Sequence, residues 1–175
     1  MRAQPSRRRF AYLLALALGT ACAGKVHEET TAGYDFAAAQ SYAWVTDELE
    51  LIQLGDEQPT VRTVENEKRI RAAIEAALDA RGLAKTSRED AAVHVAFSVG
   101  TVVRFRLEGG EDAWVPGLEA GQKQTKGTLH IYLLDRASGN RVWHAWTSKW
   151  LVRGDDPDAI VRDAVGKIMA EYPVR

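Results

Sequence analysis

The sequence predicts an α+β domain in which a mostly antiparallel sheet of about four strands has two helices packed on one face. Two stretches indicate the sheet: residues 127–150 carry two strand patterns around a turn, and residues 93–107 alternate apolar with polar or small side chains. Two further stretches, residues 64–81 and 156–172, place apolar residues at helical spacing. In the simplest two-layer arrangement, the two helices pack their apolar stripes against the apolar face of the sheet.

The stretch 127–150 predicts a β-hairpin. Leu129, Ile131 and Leu133 alternate with polar residues, and residues 142–150 form a second strand pattern rich in Trp and Val. The connection between them contains Asp, Ser, Gly and Asn, and Gly139 and Asn140 can adopt positive φ at little cost.

The remaining elements follow in chain order. Aromatic and β-branched residues predict a first strand at 42–45, and Gly and Pro predict a long loop over residues 46–62. The first helix, 64–81, is followed by Gly82 as a left-handed cap. Asp156 and Pro157 are the N-cap and first residue expected of the second helix.

A loop of 19 residues is predicted over residues 108–126, with Trp114 in an otherwise polar setting. Trp114 either folds back onto the sheet or contacts a partner.

The N-terminus has the pattern of an export signal. Four arginines precede a short apolar stretch, residues 10–18, which is about half the length needed to span a bilayer. Small residues then lead to Cys22, the one cysteine of the chain, so no intramolecular disulfide is possible. This end resembles a bacterial lipoprotein signal, which implies cleavage after Ala21 and acylation of Cys22. Ala23 rather than Asp after the cysteine implies sorting to the outer membrane, with the domain facing the periplasm.

The export route stays open between the general pathway and the twin-arginine pathway, because Arg7, Arg8 and Arg9 fit both. Three regions follow from this division: a signal peptide over 1–21, a lipidated N-terminus and short tether over 22–33, and a single α+β domain over 34–175. His27 in the tether is expected to be solvated. Removing the signal leaves 19 basic against 24 acidic residues, and this balance does not favour a nucleic-acid partner.

Taken together, the chain resembles a family of bacterial envelope lipoproteins known as domain of unknown function 4136. The matching pieces are Tyr34-Asp35-Phe36 with Ser41-Tyr42-Ala43-Trp44, residues 69–75, the strand 92–100, Gly127-Thr128-Leu129 leading to Asp135, Gly139 and Val142-Trp143, and the final Tyr172-Pro173. The resemblance covers nearly the whole chain after the signal. It implies a location and an architecture, and it implies no catalytic residue or cofactor.

No catalytic constellation stands out in the sequence. A nucleophile elbow and a phosphate-binding glycine loop are both absent. His94, His130 and His144 all fall in predicted strands, and on one sheet face they would form a metal site if their strands were adjacent. Their spacing matches no metal motif, so we expect no bound metal. A hydrolase using His94 and His130 is the least favoured function.

The five tryptophans point to an interaction surface. Trp146 and Trp150 share the strand parity of His144, whereas Trp143 has the opposite parity. At least one Trp is therefore expected on the less covered sheet face, and Trp114, Tyr132 and Trp146 are the candidate contacts with a partner or ligand. The sequence favours a membrane-anchored, non-catalytic accessory or assembly module of the envelope. The alternative is a binding protein for a small apolar ligand or lipid.

Overall fold

The computed structural model describes residues 24–47, 63–105 and 123–173. Six strands and two helices occur in these ranges: β1 (Val26–Thr30), β2 (Ser41–Trp44), α1 (Val64–Asp79), β3 (Ala84–Lys85), β4 (Val93–Phe105), β5 (Lys123–Asp135), β6 (Arg141–Leu151) and α2 (Pro157–Ala170). The α+β class predicted from the sequence is confirmed.

The strands form one mixed sheet in the order β1-β6-β5-β4-β2-β3. The expectation of about four strands is therefore corrected to six in the described ranges, and the sheet is mixed, with two parallel pairings besides the antiparallel ones. Strand β2 pairs in parallel with β4 and with β3, because the chain returns through α1 before each of them forms. The other three pairings are antiparallel.

The core lies between one face of the sheet and the two helices. Ile74 and Leu78 of α1, Ile168 of α2, and Ile131 and Trp143 of the sheet belong to one cluster of buried residues. The apolar stripes at helical spacing are therefore the surfaces that cover the sheet. Within the described ranges, no helix combines the length and the apolar character needed to cross a membrane.

Both helices begin where the sequence places them. The Thr63 side chain accepts a hydrogen bond from the Asn66 backbone N–H at 3.1 Å. The Asp156 carboxylate accepts one from the Asp158 N–H at 2.9 Å, and Pro157 occupies the first helical position. These caps pair donors that an uncapped helix would leave unsatisfied.

The tether predicted over residues 22–33 is wrong in part, because Val26–Thr30 forms β1 and pairs with the whole central part of β6. Strand β5 likewise begins at Lys123, inside the loop predicted over residues 108–126. The rest of that loop, including Trp114, lies outside the described residues, as do Ala21 and Cys22.

The hairpin turn is held by its first residue. The Asp135 carboxylate accepts hydrogen bonds from the Ser138 backbone N–H at 2.8 Å and from its hydroxyl at 2.7 Å. These bonds lower the pKa of Asp135. Gly139 has a φ of 69°, as expected, but Asn140 does not adopt a positive φ.

A β-bulge in β6 follows the turn. Leu133 pairs with Trp143 and Leu134 pairs with Arg141, which leaves Val142 as an additional residue. Val142 and Trp143 are consequently both buried. From Trp143 onward, odd-numbered residues of β6 face the helices and even-numbered residues face away from them.

Candidate interaction surface on the open sheet face

The sheet face turned away from the helices carries a group of five rings, which we call the ring cluster: His27, His130, Tyr132, His144 and Trp146. Register places them side by side, because Tyr132 pairs with His144 and Trp146 pairs with both His130 and His27. Side chains of paired residues emerge on the same face of a sheet. Three neighbouring strands, β1, β6 and β5, therefore build the cluster.

Most of these rings stack face to face. The ring centroids of Tyr132 and His144 are 4.4 Å apart, and those of His144 and Trp146 are 4.6 Å apart. The His27 ring also stacks on the Trp146 ring, with the centroids 5.0 Å apart and 9° between the planes. Such contacts add to the hydrophobic gain of burial and hold the rings in fixed orientations.

His130 and His144 meet edge to edge. Nδ1 of His130 lies 3.1 Å from Nε2 of His144, and the ring centroids are 5.3 Å apart. The centroid separation equals the nitrogen separation plus about one ring radius at each end. The two imidazoles are thus nearly coplanar and aligned along one N–H···N hydrogen bond.

The Nδ1 atom of His144 faces two charged partners. It lies 3.3 Å from Oε2 of Glu29, which Arg141 also contacts at 2.7 Å, and 3.4 Å from Nη1 of Arg141. A carboxylate only accepts and a guanidinium only donates, so these two contacts favour opposite tautomers of His144. The chain Glu29, His144, His130 connects β1 to β6 and β5 through side chains.

This arrangement leads to a prediction for His130. Burial and the neighbouring His144 lower the pKa of His130 below its ordinary value of 6.5. The folded state then takes up the proton less readily than the unfolded state, so stability should fall as pH drops from about 6.5 to the lowered pKa. We expect His130→Gln to weaken this pH dependence, as measured by urea unfolding between pH 5 and pH 8.

The control for that measurement is His94→Gln. His94 is on the same sheet face, but its Nε2 contacts the Arg88 carbonyl oxygen at 2.9 Å instead of another imidazole. Proton NMR should show that the histidine signal missing from the His130 variant titrates below pH 6.5 in the wild-type protein. A titration of His130 at or above pH 6.5 would contradict the lowered pKa.

The sequence-predicted site residues are partly brought together. Tyr132 and Trp146 lie on the open face, and His144 is packed between them. Their role as contacts stays a prediction. Trp150 is on the same face at the far end of β6 and is 40% exposed, whereas Trp143 and Trp44 are buried.

His27, Glu29 and Arg141 were not predicted as part of this surface. His27 and Glu29 fall in the segment assigned to a tether, and Arg141 follows the turn. The one available signal was the two-residue spacing of His27 and Glu29, which is compatible with a strand. Across the described ranges, no three His, Cys, Asp or Glu side chains converge to hold a metal ion.

A separate apolar cavity of about 300 Å³ lies between the sheet and the helices. Its walls include Ile70 of α1, Leu129 of β5, and Ile160 and Val161 of α2. Lys149, Val152 and Asp155, near the end of β6, also line it. Its lining is mostly apolar, which suits an apolar rather than a charged occupant.

The architecture defines an α+β protein with helices on one face of a six-stranded sheet. Residues 26–174 match the family model described as Domain of unknown function (DUF4136), and the chain belongs to that family. The resemblance stated from the sequence is thereby confirmed. No curated protein matches the chain.

Two solved structures are similar in fold. A PDZ domain protein from Parabacteroides distasonis superposes with a TM-score of 0.56 at 15% identity, covering 86% of this chain and 35% of that chain. This chain thus spans about a third of that protein's length. The PelC dodecamer from Paraburkholderia phytofirmans superposes with a TM-score of 0.52 at 14% identity, covering 87% of this chain and 99% of that one.

Proposed function

We propose that the protein is a lipid-anchored, non-catalytic accessory or assembly module of the bacterial envelope, which binds an envelope protein through the ring cluster. The outer membrane, on its periplasmic side, is the proposed location, with acylation at Cys22 after cleavage at Ala21. The sequence pattern of residues 1–22 supports the anchor.

The observation that carries the proposal is the composition of the open sheet face. Tyr132 and Trp146 are partly exposed there, and no helix or strand in the described ranges covers them. Tyr and Trp are enriched at the centres of protein interfaces, where they supply large, rigid contact areas. The stacking contacts already fix their rings, so a partner would lose little additional side-chain freedom on binding.

Crosslinking in cells tests this proposal. A photoreactive residue at Ser98, which is exposed on β4 beside the ring cluster, is expected to give one defined adduct. The matched control is Ala76, which is exposed on the outer side of α1. The adduct at Ser98 should be lost in Trp146→Ala and in Cys22→Ala, because these variants remove the contact and the anchor respectively.

The mass of the adduct shows whether the partner is a second copy of this chain or a different protein. One protein with a similar fold is described as a dodecamer, so an adduct of twice the chain's mass would make a second copy the partner. Equal adducts at Ser98 and Ala76, or an adduct that persists in Trp146→Ala, would overturn the proposal.

The cavity favours a second candidate function, the binding of a small apolar ligand or lipid. Native mass spectrometry of protein purified in mild detergent should then show a bound molecule. Ala164 contributes to the wall, and Ala164→Phe should fill the space and remove that molecule. An unoccupied wild-type protein would exclude this function while leaving the interaction surface intact.

A further inference from the structure

We infer that the end of the sheet marked by Val102, Lys126, Trp150 and Val152, hereafter the basic apolar end, lies against an anionic phospholipid bilayer. This inference rests on the proposed lipid anchor at Cys22 and adds a defined orientation of the domain to it. The support comes from where the chain emerges, where apolar side chains are exposed, and where basic residues lie.

The described chain begins at this end of the sheet. Gly24 lies against the Ser148 backbone, and the Lys25 carbonyl oxygen accepts a hydrogen bond from the Thr147 hydroxyl at 3.3 Å. Cys22 precedes Gly24 by two residues, which span at most about 7 Å when fully extended. An acylated Cys22 would therefore hold this end, rather than the opposite one, near the bilayer.

Exposed apolar side chains are concentrated at the same end. Val102 is 52% exposed, Trp150 is 40% exposed and Val152 is 66% exposed. Register places Val102 and Trp150 on either side of Lys126 in one row across the open face. Val152 follows directly after β6. The single other large hydrophobic residue exposed in the described ranges is Val64, at the start of α1.

The start of α1 also belongs to this end, because Asn66 and Val152 line the same cavity. The opposite end is different. There the turn after β5 exposes Arg136, Ala137 and Ser138, and none of these is a large apolar residue. The distribution of exposed apolar residues is therefore one-sided, and a one-sided distribution marks a contact surface better than scattered exposure does.

Basic residues lie beside the apolar ones. The Lys126 ammonium lies 6.0 Å from the Trp150 ring centroid. Lys25 is exposed just before β1, and Arg153 is exposed directly after Val152. Lys149 is 3.9 Å from Asp155, the acid that contacts it. Tryptophan favours the headgroup region of a bilayer, and basic residues are attracted to an anionic leaflet.

The cavity lies at the same end of the sheet, since Lys149, Leu151 and Val152 are among its wall residues. The proposed orientation therefore places the site of the second candidate function near the bilayer.

Fluorescence quenching in reconstituted vesicles tests the orientation. Because Cys22 is the only natural cysteine, and is consumed by acylation in the mature lipoprotein, Val152→Cys supplies a single free thiol for an environment-sensitive dye. Ala137→Cys labels the opposite end as the matched control, since Ala137 is exposed in the turn. In vesicles containing phosphatidylglycerol and brominated lipid, we expect quenching at residue 152 to exceed that at residue 137 by at least threefold.

Two outcomes would overturn the orientation: equal quenching at the two positions, or no loss of quenching at residue 152 when phosphatidylglycerol is replaced by phosphatidylcholine. Flotation of the same vesicles separates this result from failure of the anchor. Protein that does not float contradicts lipidation at Cys22. Protein that floats with residue 152 unquenched contradicts the orientation alone.

Discussion

Replacing Trp143 with alanine is expected to lower the free energy of unfolding by about 4 kcal/mol, which is a large part of the stability of an ordinary domain. Trp143 is fully buried, and its ring packs edge-on against Tyr172 with the centroids 5.8 Å apart. Its indole N–H donates to the Glu28 carboxylate at 3.2 Å. Alanine would leave a cavity in the core and remove this hydrogen bond.

Urea unfolding of Trp143→Ala, followed by circular dichroism, measures this loss. Trp150→Ala is the matched control, because the same residue type is removed from the same strand at a position that is 40% exposed. The control should lose less than about 1 kcal/mol. Equal losses for the two variants would contradict the assignment of odd-numbered β6 residues to the core.

The second large effect is expected at Arg71. The Glu67 side chain is 6% exposed, and its Oε1 is 3.3 Å from Nε of Arg71. Oε2 of Glu67 is buried and has no hydrogen-bond partner in the described part of the chain. Arg71 is therefore the cation that compensates a buried carboxylate, and Arg71→Met should cost about 3 kcal/mol.

A double-mutant cycle identifies the cause of that loss. Arg71 also donates to the Thr46 carbonyl oxygen at 3.0 Å and lies 4.6 Å from the Trp44 ring centroid. If the uncompensated carboxylate dominates, Glu67→Leu combined with Arg71→Met should recover most of the stability. If the double variant is as unstable as Arg71→Met alone, the contacts with Thr46 and Trp44 account for the effect instead.

The helices were predictable because their signals are local. An apolar stripe runs from Ile70 to Leu78 of α1, and Thr63 and Asp156 cap the two helices from adjacent sequence positions. The faces of β4 and β5 were predictable for a similar reason, since alternation reports burial directly. Parity likewise placed Trp146 on the open face, because the bulge in β6 precedes Trp143.

Strand pairing was harder to predict from the sequence, because the paired segments are far apart along the chain. The aromatic residues of β2 indicate a strand, but they do not give the direction of its neighbour β4. Strand β1 has one apolar residue, Val26, so its sequence alone looks like a polar linker. Strand β3 has two residues, which is too short for any period. The ring cluster depends on β1, so its His27 and Glu29 could not be assigned.

The position of β1 has a consequence for how the molecule is assembled. Val26 pairs with Thr147, so β1 can join the sheet only once β6, which comes far later in the chain, is available to pair with it. Pairing two segments this distant in sequence raises the entropic cost of loop closure. We therefore expect this pairing to form late in folding. If the chain carries the proposed anchor at Cys22 and is exported unfolded, β1 would still be unpaired while the proposed signal is cleaved. Pairing of β1 with β6 would then bring the folded domain close to that anchor.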